Sequence, residues 1–413
     1  MASKKSKHPN PDDEREKQLV KDALASAVRL SNRPKNIREV GISVLKNLPA
    51  NITMVQGLMK AVDWKQAQQE VLEGLNNTVV IVGQPNTGKS TLFNKMKGQT
   101  LSPTSPQAGT TRTLVRTDFG PFTLVDTPGH LPSVMESGMD QASVIVFLID
   151  ASRGLQASDR ELYETIKKLN KPTIVAVNKV DTLKGGEAGD QFATEVAVLL
   201  DAYGVIPVSA KTGENVAEEL IPAIIDASPE AALAIGRELP AFRRAAAQRI
   251  IRNSTLVCLA AGLEPIPFID IPILLGTQVR LVLRLAALYG EPLDSTDAML
   301  HARELLATIA GLGLRFLAEQ AAKAVPFGGD FVAGAIAGAA TWSIGQVALE
   351  YYEGGKQLDP GRLRQLYSGF YHRFRRDNTT KDLYTRPAQT LEGSTPTPLL
   401  DEPKKSGAEE GTA

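Results

Sequence analysis

The segment Gly83-Gln84-Pro85-Asn86-Thr87-Gly88-Lys89-Ser90 sets two glycines, a lysine and a hydroxyl at the spacing G-x4-G-K-[ST]. That spacing lets backbone amides wrap a polyphosphate. The Lys89 ammonium then neutralises the β and γ oxygens, and the Ser90 hydroxyl supplies a ligand to Mg2+. Gly83, Asn86, Thr87 and Gly88 form the rest of the candidate loop, and Thr91 opens the helix expected after it. Asp126-Thr127-Pro128-Gly129 adds a carboxylate that reaches Mg2+ through water and a Gly129 amide that senses the γ-phosphate. Asn178-Lys179-Val180-Asp181 supplies what a guanine needs: Asp181 accepts from the ring N–H and the exocyclic amine, and the Lys179 stem lies along the base. Two such charge-assisted hydrogen bonds, at about 1.5 to 3 kcal/mol each, favour guanine over adenine by roughly 10² to 10⁴. Ser209-Ala210-Lys211 would present the Ala210 amide to the guanine carbonyl. Between the loop and Asp126 lies Ala108-Gly109-Thr110-Thr111-Arg112, in which Thr111 is the candidate second hydroxyl for Mg2+; Thr110 or an ordinary polar loop are the alternatives.

These segments need strands to hold them. Apolar runs rich in β-branched residues occur at 78–82, 123–126, 143–150, 173–178 and 205–209, and helical patterns at 159–169 and 195–204 separate two pairs of them. The alternation predicts an α/β fold, a mostly parallel six-stranded sheet with helices on both faces, to which 114–120 contributes an antiparallel edge. The phosphate loop and the segments at Asp126, Asn178 and Ser209 then fall at strand ends, where open parallel sheets bind ligands. The expected P-loop domain spans 77–228. A disordered arm (1–16) and a helical segment (17–76) precede it, and an all-α domain (240–385) and a disordered tail (386–413) follow.

The motifs GQPNTGKS, GTTR, DTPG, NKVD and SAK resemble the translation-factor-related GTPases of the TrmE, Era and EngA group. The resemblance covers 78–228 and implies GTP hydrolysis to GDP with Mg2+, in a nucleotide-dependent switch. It implies that Lys89, Thr111 and Gly129 take part in catalysis. In that group the loop asparagine helps bind potassium, so Asn86 is a candidate K+ ligand; a turn-favouring Asn with no ion is the alternative. Two residues depart from the pattern. Thr113 stands where the group usually has Asp, and His130 follows DxxG where it usually has an apolar residue. Translation elongation factors carry a histidine there that orients the attacking water, which makes His130 a candidate for that role, against a switch histidine facing solvent. Era's RNA-binding module has no counterpart after residue 230. Residues 240–352 resemble instead an uncharacterised helical domain that follows Era-like GTPases in some bacteria.

Lys plus Arg total 46 and Asp plus Glu total 46, so no global field draws the chain of 413 residues to nucleic acid or to an anionic membrane. The one cysteine, Cys258, excludes an intrachain disulfide. The charged N-terminus lacks the apolar stretch of a secretory signal, which predicts a cytoplasmic protein. The uncharged run Phe331–Leu349, with Gly334 and Gly338 at GxxxG spacing, suits a packed helix, a helix that docks on a membrane or a span. Arg362, Arg364, Arg373, Arg375 and Arg376 interleave with Leu363, Leu366, Tyr367, Phe370, Tyr371 and Phe374, a pattern that fits lipid headgroups, RNA phosphates or a helix with a solvated basic face. Four outputs follow for 240–385: peripheral contact with the inner face of a membrane, a protein partner, RNA or the ribosome, and nucleotide-dependent dimerisation.

Overall fold

Valine and isoleucine, stiff at χ1 and at ease on a pleated surface, are the commonest residues of the strands. The structure, a computed structural model, describes residues 62–75, 78–97, 115–119, 122–126, 139, 142–185, 187–261, 270–321 and 329–393. Its strands are β1 (Thr78–Val82), β2 (Val115–Phe119), β3 (Phe122–Asp126), β4 (Ala142–Asp150), β5 (Thr173–Asn178) and β6 (Ile206–Val208), in the spatial order β2-β3-β1-β4-β5-β6. Only β2 is antiparallel, paired with β3. The six-stranded, mostly parallel sheet with an antiparallel edge is the one expected.

Side chains alternate along each strand, so each buried strand serves two faces. Val80, Val82, Ile145, Phe147, Ile149, Val175 and Val177 pack with Leu162, Tyr163 and Ile166 of α3 (Ala157–Lys168) and with Ala193, Val196 and Leu200 of α4 (Ala188–Leu200). Phe147 and Tyr163 stack with ring centroids 5.8 Å apart. Against the other strand residues lie α2 (Lys89–Lys97), α5 (Ile221–Ala227) and α6 (Pro229–Glu238). Helix α3 begins with a capping box, Gln156 and Asp159 exchanging side-chain and backbone bonds. Before the sheet, α1 (Trp64–Gly74) buries Ala67 and Val71. The rest of the expected helical segment, up to residue 61, lies outside the described residues, as does the arm 1–16.

The chain divides into two compact units. One comprises Lys65–Ile250 and Ala286–Ala298, so it runs past 77–228 at both ends. The other comprises Ile251–Leu285 and Met299–Ala413, with the residues up to Trp64. The helices beyond α6 are α7 (Arg243–Ala261), α8 (Asp270–Leu288), α9 (Thr296–Ala321), α10 (Gly329–Glu353), α11 (Pro360–Asp377), α12 (Thr380–Thr385) and α13 (Pro387–Gly393). Helix α13 falls within the stretch expected to be a tail; only Pro387 and Leu391 are buried in it, too little periodicity to be visible in the sequence.

The uncharged run forms α10, buried on all sides over 334–350. Its glycines make room for neighbours: a Cβ on Gly338 would lie 2.6 Å from Leu259, and one on Gly345 would lie 2.7 Å from Ile251. Trp342 packs on Phe370 and Phe374 of α11 at 5.9 and 5.0 Å between centroids. Small residues here serve close helix packing, and among the described residues no helix is long and apolar enough to cross a membrane. Cys258 is fully buried, and burial pushes its thiol pKa up to about 12, which leaves it an inert packing residue.

Candidate functional site

The carboxyl ends of β1 and β4 adjoin in the sheet, and the chain leaves them in opposite directions, β1 towards β3 and β4 towards β5. Such a switch point opens a crevice. Here it has a volume of about 280 Å³ and is lined by the loop residues Gln84–Thr87 on one side and by Asp150, Arg153 and Asp159 on the other.

The loop Gly83–Gly88 can take its path only with glycine at both ends. A Cβ on Gly83 would sit 2.3 Å from the Leu148 carbonyl oxygen, and Gly88 has φ +94 with the Asn178 amide 2.2 Å from the position of a Cβ. Lys89 is buried, and its Nζ donates to the carbonyls of Gly83 and Gln84, each at 3.0 Å, which folds the ammonium back over the loop. Thr87 Oγ1 donates to Gln84 O at 3.0 Å. Ser90 and Thr91 are exposed in the first turn of α2, where unpaired amides and the helix dipole favour an anion.

Asn178, 2% exposed, ties three segments together. Its Nδ2 donates to Thr87 O at 2.8 Å, and its Oδ1 accepts from the Ala210 amide at 2.8 Å. The structure thus joins the Ala210 N–H and Asn178 to each other. They brace the phosphate loop against the loop after β6, and the Ala210 amide is engaged with Asn178. Asp181 stays exposed, with Oδ1 held by the Ser209 hydroxyl at 2.7 Å. A carboxylate fixed in this way faces a base without rotamer loss on binding. Lys211 is exposed beyond it. Lys179, in the left-handed region at φ 69, sends its Nζ to Asn86 O at 2.7 Å and to Asp150 Oδ2 at 2.6 Å.

Asp150 also lines the crevice, and no motif announces it. It ends β4, is 4% exposed and also accepts from Ser152 N at 3.0 Å and Ser152 Oγ at 2.6 Å. Its signal in the sequence is an acid closing a wholly apolar strand. Burial alone would raise its pKa, but hydrogen bonds from Lys179 and Ser152 and the Lys179 charge outweigh it, and the carboxyl is held below its usual range. A depressed folded pKa gives stability that is present above the unfolded value, about 3.9, and is lost as pH falls through the folded value. Asp150→Ala should therefore flatten the acid limb of the stability profile below about pH 4. Guanine nucleotide affinity should fall about tenfold in the same variant, one charged hydrogen bond to a partly exposed lysine. An acid limb and a GDP affinity equal to the parent's would remove Asp150 from the site. Asp159 behaves oppositely: burial raises its pKa, and while Oδ2 accepts from Gln156 N at 3.0 Å, its buried Oδ1 has no partner among the described residues.

Asp126 ends β3, beside β1 in the sheet. Thr111, Gly129 and His130 lie outside the described residues.

A Gly-rich loop between β1 and α2, braced by the asparagine of an N-K-x-D turn at the end of β5 in a sheet of this order, defines a P-loop GTPase domain. Residues 78–179 match the family described as 50S ribosome-binding GTPase, and residues 227–376 match a Domain of unknown function, DUF697. The chain thus carries an Era- and Der-like GTPase domain followed by that largely helical domain. GTPase Era of Aquifex aeolicus is 35% identical over 178 residues, 37% of this chain and 56% of Era. GTPase Der of Alkaliphilus oremlandii is 35% identical over 167 residues, 37% of each chain. A crystal structure of Aquifex aeolicus Era bound to GDP and aluminium fluoride aligns at 28% identity over 46% of this chain and 69% of that one, with a TM-score of 0.29. The chain spans 56% and 37% of the lengths of these two relatives.

Proposed function

We propose that the protein binds GTP, hydrolyses it to GDP and phosphate, and works as a switch that the γ-phosphate holds in one state. The observation that carries this reading is the Asn178 brace, which joins the phosphate loop, the base-reading turn and the Ser209–Lys211 loop in one set of hydrogen bonds. Lys89 neutralises the phosphates and Asp181 reads the base. Ser90, exposed at the start of α2, and Asp126, which ends the strand beside β1, would hold a Mg2+ ion, with Thr111 as a further ligand. When bound, the ion neutralises charge on the β- and γ-phosphates. Gly129 senses the γ-phosphate and His130 orients water. Asn86 adopts φ 65, a conformation that asparagine tolerates in turns, so the turn accounts for it without K+.

The helical domain carries the output. Contact with a membrane or a protein partner is one reading. The description of the family matched over 78–179, 50S ribosome-binding GTPase, favours the other, an RNA- or ribosome-directed factor. Phosphate release from GTP by the full chain tests the catalytic half. It should require Mg2+, stop on chelation and be absent in Lys89→Ala; release that continues unchanged in Lys89→Ala would overturn it.

A further inference from the structure

We propose that the exposed face of α11 is a binding surface for the phosphate backbone of RNA; this rests on the RNA-directed reading of the output. From Gly361 to Arg376 the helix has five arginines and no acid. All its large apolar residues, Leu363, Leu366, Tyr367, Phe370, Tyr371 and Phe374, are buried. At 3.6 residues per turn, Arg364 and Arg375 share one edge of the outer face, about 16 Å apart, and Arg362, Arg373 and Arg376 share the other. Between the two rows lie the shorter side chains of Ser368, Gln365 and His372 and the bare backbone at Gly361, which let a strand approach the helix.

The acids at the helix ends do not cancel the rows. Asp359 is taken up as the N-cap, accepting from Gly361 N and Arg362 N at 2.7 and 3.1 Å. Asp377 pairs with Arg376 at 2.8 Å. Arg364, Arg373 and Arg375 form no ion pair among the described residues. Arginine's planar fork bonds phosphate in bidentate fashion, and its charge persists at any pH the fold survives.

The same face argues against a lipid surface. A helix that lies in a membrane interface buries an apolar face there. On α11 that face is spent on the domain's own core, against Trp342, and the exposed large hydrophobic residues of the described chain, Val198, Leu199, Tyr203 and Leu300, all lie elsewhere. What α11 offers outward is charge at fixed spacing, which suits a polyanion read through its backbone.

The test uses the full chain, a labelled single-stranded RNA of mixed sequence and fluorescence anisotropy over a series of KCl concentrations. Five phosphate contacts at about 0.7 each give a log–log salt slope of about −3.5. Arg364→Gln with Arg375→Gln should reduce the slope to about −2 and weaken binding about tenfold or more at low salt. Lys167→Gln with Lys168→Gln, a charge-matched pair on the exposed side of α3, should leave both unchanged. RNA bound with the same slope by the α11 variant would overturn the surface while leaving an RNA-directed output standing. No RNA binding by the parent chain would overturn both, and pelleting with phosphatidylserine vesicles in that case would assign the arginines to lipid.

Discussion

Asp181→Asn is expected to turn the protein's preference from GTP to xanthosine triphosphate. Guanine presents two donors, the ring N–H and the exocyclic amine, to the two oxygens of Asp181. Xanthine replaces the amine with a carbonyl. An asparagine at 181 retains an acceptor where Ser209 holds Oδ1, 2.7 Å away, and places an NH2 group where the second oxygen was. The amide then matches xanthine and mismatches guanine. Two charge-assisted hydrogen bonds at about 1.5 to 3 kcal/mol each put the change in relative affinity at roughly 10² to 10⁴. Competition of GTP and xanthosine triphosphate for the variant measures it directly. An unchanged GTP affinity would remove Asp181 from base recognition.

Asn178→Ala is expected to damage the GTPase domain more than any other single truncation at the site. It deletes two hydrogen bonds of 2.8 Å at a buried position and strands the Thr87 carbonyl and the Ala210 amide. Each buried group left unsatisfied costs about 1 to 3 kcal/mol, so the domain should lose about 2 to 6 kcal/mol. The phosphate loop and the loop after β6 lose their common brace, so GDP affinity should fall with stability, by about tenfold or more. Urea unfolding with and without GDP reads both, since only the GTPase domain's transition moves with the ligand. A parental midpoint and a parental GDP affinity would show that the brace contributes nothing.

The sheet was legible in the sequence because its interior strands are buried on both faces and read as unbroken apolar runs, while β2, with Arg116 and Asp118, reads as an edge. The phosphate loop was legible because its glycines answer to local geometry. Asp150 was not, because its partner is set by long-range register: β4 pairs with β5 so that Asp150 sits beside Asn178, which brings the next residue, Lys179, onto it. The bond between Asn178 and the Ala210 amide was hidden for the same reason, since nothing near either residue in the chain announces it. In the helical domain, the interleaved basic and aromatic residues of α11 stood out in the sequence, but not the direction in which the aromatic residues point. Those turn inward onto Trp342, a contact between helices that composition alone does not contain.

Competition against a fluorescent GDP analogue on the unmodified full chain tests for a site that selects guanine nucleotide. GDP and GTP should displace the analogue, whereas ATP should require a concentration roughly 10² to 10⁴ higher, the discrimination expected of two charge-assisted bonds at Asp181. Displacement by ATP and GTP at equal concentrations would contradict the account.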